Sequence, residues 1–168
     1  MGFFVVINWM LLLPLTLAFW WAPSRTELIA LSDGTMLEVE VASTRRARER
    51  GLSGREDIGD GMLFCFRDEA IRNFWMNDML VPLDVVWLRD AVIVGVDENV
   101  PVWNRVLVDP VDDQFSFELE WTQFPSPEPV NAVLELPVGS VAAHSLKEGD
   151  VIVGTGCVPR STLIRRLP

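Results

Sequence analysis

The stretch Thr26-Glu27-Leu28-Ile29-Ala30-Leu31-Ser32-Asp33-Gly34-Thr35-Met36-Leu37-Glu38-Val39-Glu40-Val41 sets the pattern that the rest of the chain follows. Two apolar-rich runs flank Ser32-Asp33-Gly34, and Asp-Gly between such runs reads as a hairpin, because glycine enters a left-handed turn without steric cost. Leu37, Val39 and Val41 alternate with Glu38 and Glu40, which gives a strand one buried face and one wet face. Ser43 or Thr44 then caps a short Arg-rich helix that stops at Gly51. Residues 62–66, 81–88 and 132–136 are apolar enough for buried strands, and Arg89-Asp90 turns the second of these into residues 92–96.

Further strands are expected at 106–108 and 115–121, the latter from Phe115, Phe117, Leu119 and Trp121 at every second position. Pro125, Pro127 and Pro129 form an extended loop. A short helix follows at 140–146, and Lys147-Glu148-Gly149-Asp150 turns the chain into 151–154. Many short strands with one or two brief helices predict an α+β fold, mostly β, with a compact barrel-like sheet. That domain is expected over 37–156, after a linker and first strand at 23–36 and before a tail at 157–168.

Residues 1–22 contain no Asp, Glu, Lys or Arg. As a helix they would span about 33 Å, close to the ~30 Å hydrocarbon thickness of a bilayer. Trp20 and Trp21 close the run where indoles favour the headgroup boundary, and Arg25 follows in water. A transmembrane or signal-anchor helix is expected, with the lipid bilayer as partner. Ala22, with Trp20 before it and Pro23 after it, is a poor cleavage site, so the anchor is expected to stay. Arg45, Arg46, Arg48 and Arg50 come about twenty residues later and, if counted, favour a cytoplasmic domain, so the residues alone leave the side open.

The 168-residue chain is 49% hydrophobic and 23% charged, which excludes a disordered chain. Its net charge of −10 repels phosphate backbones and disfavours nucleic acid as a partner. Walker loops, nucleophile elbows and His-Glu-x-x-His are all missing. His144 is the single histidine, which excludes multi-histidine zinc sites, and it reads as a helix-surface residue. Asp109, Asp112 and Asp113 lack calcium-loop spacing and read as solvated turn residues. No metal or cofactor is expected. Cys65 lies between Phe64 and Phe66 and reads as a buried free thiol, in preference to a disulfide with Cys157 or a reactive thiol. Arg160, Arg165 and Arg166 read as an exposed tail.

The most unusual stretch runs from Asn73 to Asp84, where two aromatics and two methionines precede a buried strand. Asp84 sits between Leu83 and Val85, a costly place for a carboxylate unless it is hydrogen-bonded. The preferred reading is that Asp84 accepts backbone N–H bonds and pins the loop. The alternative is a pocket with Trp75 and Met76 as apolar wall, Asp84 as polar handle and Arg55 as its partner. Those four residues are the candidate ligand-binding set, and no catalytic residue is assigned.

Gly51-Leu52-Ser53-Gly54-Arg55, Gly61-Met62-Leu63-Phe64, Phe74-Trp75-Met76, Pro82-Leu83-Asp84 and Ala132-Val133-Leu134-Glu135-Leu136 are followed by Gly139 and Gly149-Asp150. Over residues 37–153 this order resembles a prokaryotic family, domain of unknown function 192. The resemblance implies a small β-rich α+β fold, often behind a signal or anchor, and it favours an extracytoplasmic domain. It brings no reaction. Asn77-Asp78-Met79 stands where the family usually has a Lys-Asn-Thr-like run, and the stretch from Val102 to Trp121 is longer than the family norm.

The expected function is therefore a single-pass, membrane-anchored extracytoplasmic binding or accessory module, without catalytic activity, and with a membrane or envelope protein as a possible partner. One alternative is an enzyme acting on a small or envelope-derived substrate near Trp75 and Asp84. Another is a structural subunit of a membrane complex.

Overall fold

In the computed structural model, which describes residues 25–102 and 123–157, the Asp-Gly hairpin forms where the sequence places it. Strand β1 (Thr26–Ala30) pairs antiparallel with β2 (Met36–Ala42), with Ala30 opposite Met36. Gly34 takes φ +86°, and the Asp33 carboxylate accepts from Thr35 N at 2.8 Å to hold the turn. Helix α1 (Arg45–Arg50) starts at Thr44, whose hydroxyl accepts from Ala47 N, and ends at Gly51 with φ +50°. It carries the chain over to β3 (Met62–Ala70), which runs parallel to β2, a pairing that always needs such a crossover.

Strand β4 (Asn73–Trp75) leaves the main sheet and pairs with β7 (Gln123–Pro125) in a two-stranded ribbon. The chain returns through β5 (Leu83–Arg89), which forms a hairpin with β6 (Val92–Val100) across Asp90 and Ala91. Both turn residues have positive φ, 49° and 69°, as the tightest hairpin turn requires. Asn131 secures the turn by accepting from Asp90 N and donating to the Asp90 carboxylate. Strand β8 (Val130–Pro137) inserts between β3 and β5 and is antiparallel to both. Short helix α2 (Ser140–Ala143) follows it.

The order of the main sheet is β1-β2-β3-β8-β5-β6, so β8 is central and carries apolar side chains to both faces. Ile29, Val39, Leu63, Val86, Leu134 and Ile152 pack on one face. Met62, Phe64, Val85, Trp87 and Val133 pack on the other.

Two expectations are corrected. The sheet is mostly β with two short helices, but it does not close into a barrel. Edge strands β1 and β6 do not pair; they are joined only by isolated bridges, Ala30 to Val153 and Val92 to Val151, because three residues are too few to build a ladder. The second correction concerns Cys65, which is disulfide-bonded to Cys157 across a Cα separation of 5.0 Å. Alternation along β3 turns Cys65 away from Phe64 and toward the face of Leu63, where the chain after Ile152 returns with Cys157. That separation lies within the usual disulfide range.

The uncharged segment 1–22, the expected strands at 106–108 and 115–121, the cluster of Asp109, Asp112 and Asp113, and the arginines of the tail lie outside the described residues. Among the described residues no helix is long and apolar enough to cross a membrane.

Candidate functional site

Asp84 is buried on β5, at 1% exposure, and both carboxylate oxygens are occupied. One accepts from Asn99 N and the other from Val141 N, each at 2.9 Å. The second bond caps α2, whose N-cap residue, Gly139, has no side chain to do so. Asp84 therefore accepts backbone N–H bonds, the preferred reading of the sequence. Arg55 does not reach it. The guanidinium forms a two-pronged ion pair with Glu40 on β2 instead. Met76 is buried in the core at 4% exposure. Of the four candidates, Trp75 lines a cleft.

That cleft lies between α1 with its following turn and ribbon strand β4, and its volume is about 200 Å³. Phe64, Phe66, Phe74, Trp75, Leu52 and Met79 supply the apolar lining, and Arg45, Arg48, Glu49 and Arg50 line it from α1. The walls are held by local bonds. Ser53 Oγ donates to Asn77 O at 3.0 Å and Gly54 N donates to Asp78 O at 2.8 Å, which fixes the Met76–Met79 turn against the turn after α1. Phe74 meets Phe64, Phe66 and Trp87 edge to face, at centroid distances of 5.0, 6.5 and 5.6 Å. Arg48 lies over the Phe66 ring at 4.8 Å from its centroid and Arg72 at 4.1 Å. Burial and the neighbouring Arg72 lower the pKa of Arg48, which donates to Ser43 O and Cys65 O.

Glu135 also lines this cleft, from the central strand β8. Its backbone neighbours are Met62 on β3 and Val85 on β5, so its side chain rises from the middle of an apolar face. It is 6% exposed and has no hydrogen bond or ion pair among the described residues. Burial pushes its carboxyl up to about 8, from an ordinary value of 4.5. Gly61 lets β3 lie this close: a Cβ there would stand 2.1 Å from Glu135 O.

Sequence reasoning passed over Glu135. The signal was present, because Glu135 sits between Leu134 and Leu136 just as Asp84 sits between Leu83 and Val85. The difference between them is partnership, which no sequence pattern displays.

The family model DUF192, described as uncharacterised ACR, matches residues 28–154. The chain belongs to this family. A crystal structure of a Sinorhizobium meliloti 1021 protein, provisionally assigned as a transcription regulator, is similar at 28% identity and TM-score 0.66, covering 80% of this chain and 98% of that one. A Novosphingobium aromaticivorans DSM 12444 protein of unknown function shares the fold at 24% identity and TM-score 0.61, covering 77% of this chain and 84% of that one. No curated protein matches the chain. The DUF192 chain thus shares its fold with proteins whose chemistry is not assigned, and the site must be read from its own geometry.

Proposed function

We propose that this protein is an extracytoplasmic, membrane-anchored binding module that takes a small organic ligand in the cleft over Glu135. One observation carries the binding reading: Glu135, 6% exposed and without a hydrogen bond or ion pair among the described residues, at an aromatic-lined cleft. Desolvating such a group without a partner destabilises the fold. A ligand that supplies the missing partner recovers that free energy on binding.

The cellular placement rests on other features. The Cys65–Cys157 disulfide supports an oxidising compartment. The uncharged run over 1–22 supports an anchor. The net charge of −10 speaks against DNA, so the assignment given to the Sinorhizobium meliloti protein is not carried over.

The methionine methyl groups provide the test. Met79 lines the cleft, Met76 is in the core, and Met36 is exposed on the β1–β2 hairpin. Methyl NMR of the full chain in detergent, titrated with alkylammonium, carboxylate, amino-acid and amide fragments, is expected to show a saturable shift at Met79 with at least one class while Met36 stays fixed. A Met79 signal indifferent to all four classes would overturn the binding reading.

A further inference from the structure

The cleft is lined by charges of both signs carried on different elements. Glu135 is the acid held among apolar neighbours, whereas α1 presents Arg45, Arg48 and Arg50 with only Glu49 against them. Arg45 is ion-paired with Glu49 at 2.6 Å, and Arg48, held by the Ser43 and Cys65 carbonyls, has no ion-pair partner among the described residues, so Arg48 and Arg50 form the cationic side. We propose that the cleft takes a zwitterion, its ammonium group against Glu135 and the aromatic wall, and its carboxylate or phosphate against Arg48 and Arg50. This deepens the binding reading above and rests on it.

Three considerations narrow the class. The first is size. About 200 Å³ is room for a head group or a small amino acid. It falls below the roughly 300 Å³ at which drug-sized pockets begin.

The second is the floor. Met62, Val85 and Val133 next to Glu135 carry no side-chain donor, and no arginine pairs with it among the described residues, so a cation from a ligand would meet the charged carboxylate there. Phe64, Phe74 and Trp75 line the same cleft, and an aromatic face attracts a cation. The third is the arginine side, which repels a plain cation and attracts an anion. Only a ligand carrying both charges satisfies the two ends.

The arrangement couples binding to a proton. Burial keeps Glu135 protonated at neutral pH in the empty cleft. When an ammonium group arrives, the carboxyl proton leaves to the buffer and the carboxylate pairs with the ammonium.

A free metabolite and a lipid head group share this chemistry, and two arms separate them. In the first, the full chain in non-ionic detergent is titrated calorimetrically with phosphoethanolamine, glycine, inorganic phosphate and ethylammonium at pH 7, in buffers of different ionisation enthalpy. Phosphoethanolamine or glycine is expected to bind at least about tenfold more tightly than either single-charge compound. Binding should release close to one proton. Glu135→Gln, which keeps the shape of the side chain and removes its charge, should melt no lower than the parent and lose both the proton release and the preference.

In the second arm the chain is placed in nanodiscs of phosphatidylethanolamine or of phosphatidylglycerol. Loss of phosphoethanolamine binding only in the former identifies the lipid head group; binding retained in both identifies a soluble zwitterion. Inorganic phosphate binding as tightly as phosphoethanolamine, with no proton released, would overturn the zwitterion but leave a ligand in the cleft. A Met79 methyl unmoved by any of these compounds would remove both inferences.

Discussion

Each oxygen of Asp84 accepts a backbone N–H, whereas Glu135, also set among apolar side chains, has no hydrogen bond among the described residues. The two carboxylates should therefore answer substitution in opposite ways. Asp84→Ala strands the Asn99 and Val141 donors and should destabilise by about 1–3 kcal/mol. Asp84→Asn keeps one acceptor oxygen and should cost less. Thermal unfolding decides this, and an Asp84→Ala variant as stable as the parent would mean those donors find other partners. Glu135 works through protonation. Its folded value of about 8 exceeds the ordinary 4.5, so the folded state holds the proton more tightly. The stability this provides is complete below the ordinary value and lost as pH rises through the folded one. The parent should lose stability between pH 5 and 8, and Glu135→Gln should remain nearly flat. At pH 7 the variant should lead by roughly 3 kcal/mol. Parallel unfolding curves for parent and variant across that range would contradict this.

At the scale of elements, the hairpin β1–β2 and helix α1 were legible because their determinants are local: Asp33-Gly34 at the turn, Thr44 and Gly51 at the helix ends. Helix α2 has no such local cap, and a carboxylate from β5 replaces it. Strand β4 escaped the reading of the sequence. Three residues are too few for a period to show, and its partners at Gln123–Pro125 are far along the chain. The disulfide between β3 and the C-terminal segment is non-local in the same sense, closing a loop of 92 residues. Loop closure of that length predicts that reduction, or Cys65→Ser with Cys157→Ser, destabilises by roughly 2–4 kcal/mol. Denaturant unfolding with and without reductant measures it. Two titratable thiols in the native oxidised protein would contradict the linkage.

For the whole molecule, the proposed topology makes the protein an integral membrane protein whose globular part faces out. Added protease should digest that part in intact cells; recovery in the cytosolic fraction, or protection from the protease, would reject the corresponding half of the proposal. The sequence by itself determined the β-rich class, most of the strand positions and the membership of a family without an assigned reaction. Those follow from periodicity, turn chemistry and motif order, all properties of neighbours along the chain. Only the tertiary structure decided that the sheet stays open, since closure depends on whether β1 and β6 meet. It alone separated Asp84 from Glu135 and linked Cys65 to Cys157, dispersing the expected site to Glu40, the core and the cap of α2. The physical reason is common to these cases. The state of a buried polar group is set by what the fold places within about 3 Å of it, and those partners come from strands and turns remote in sequence.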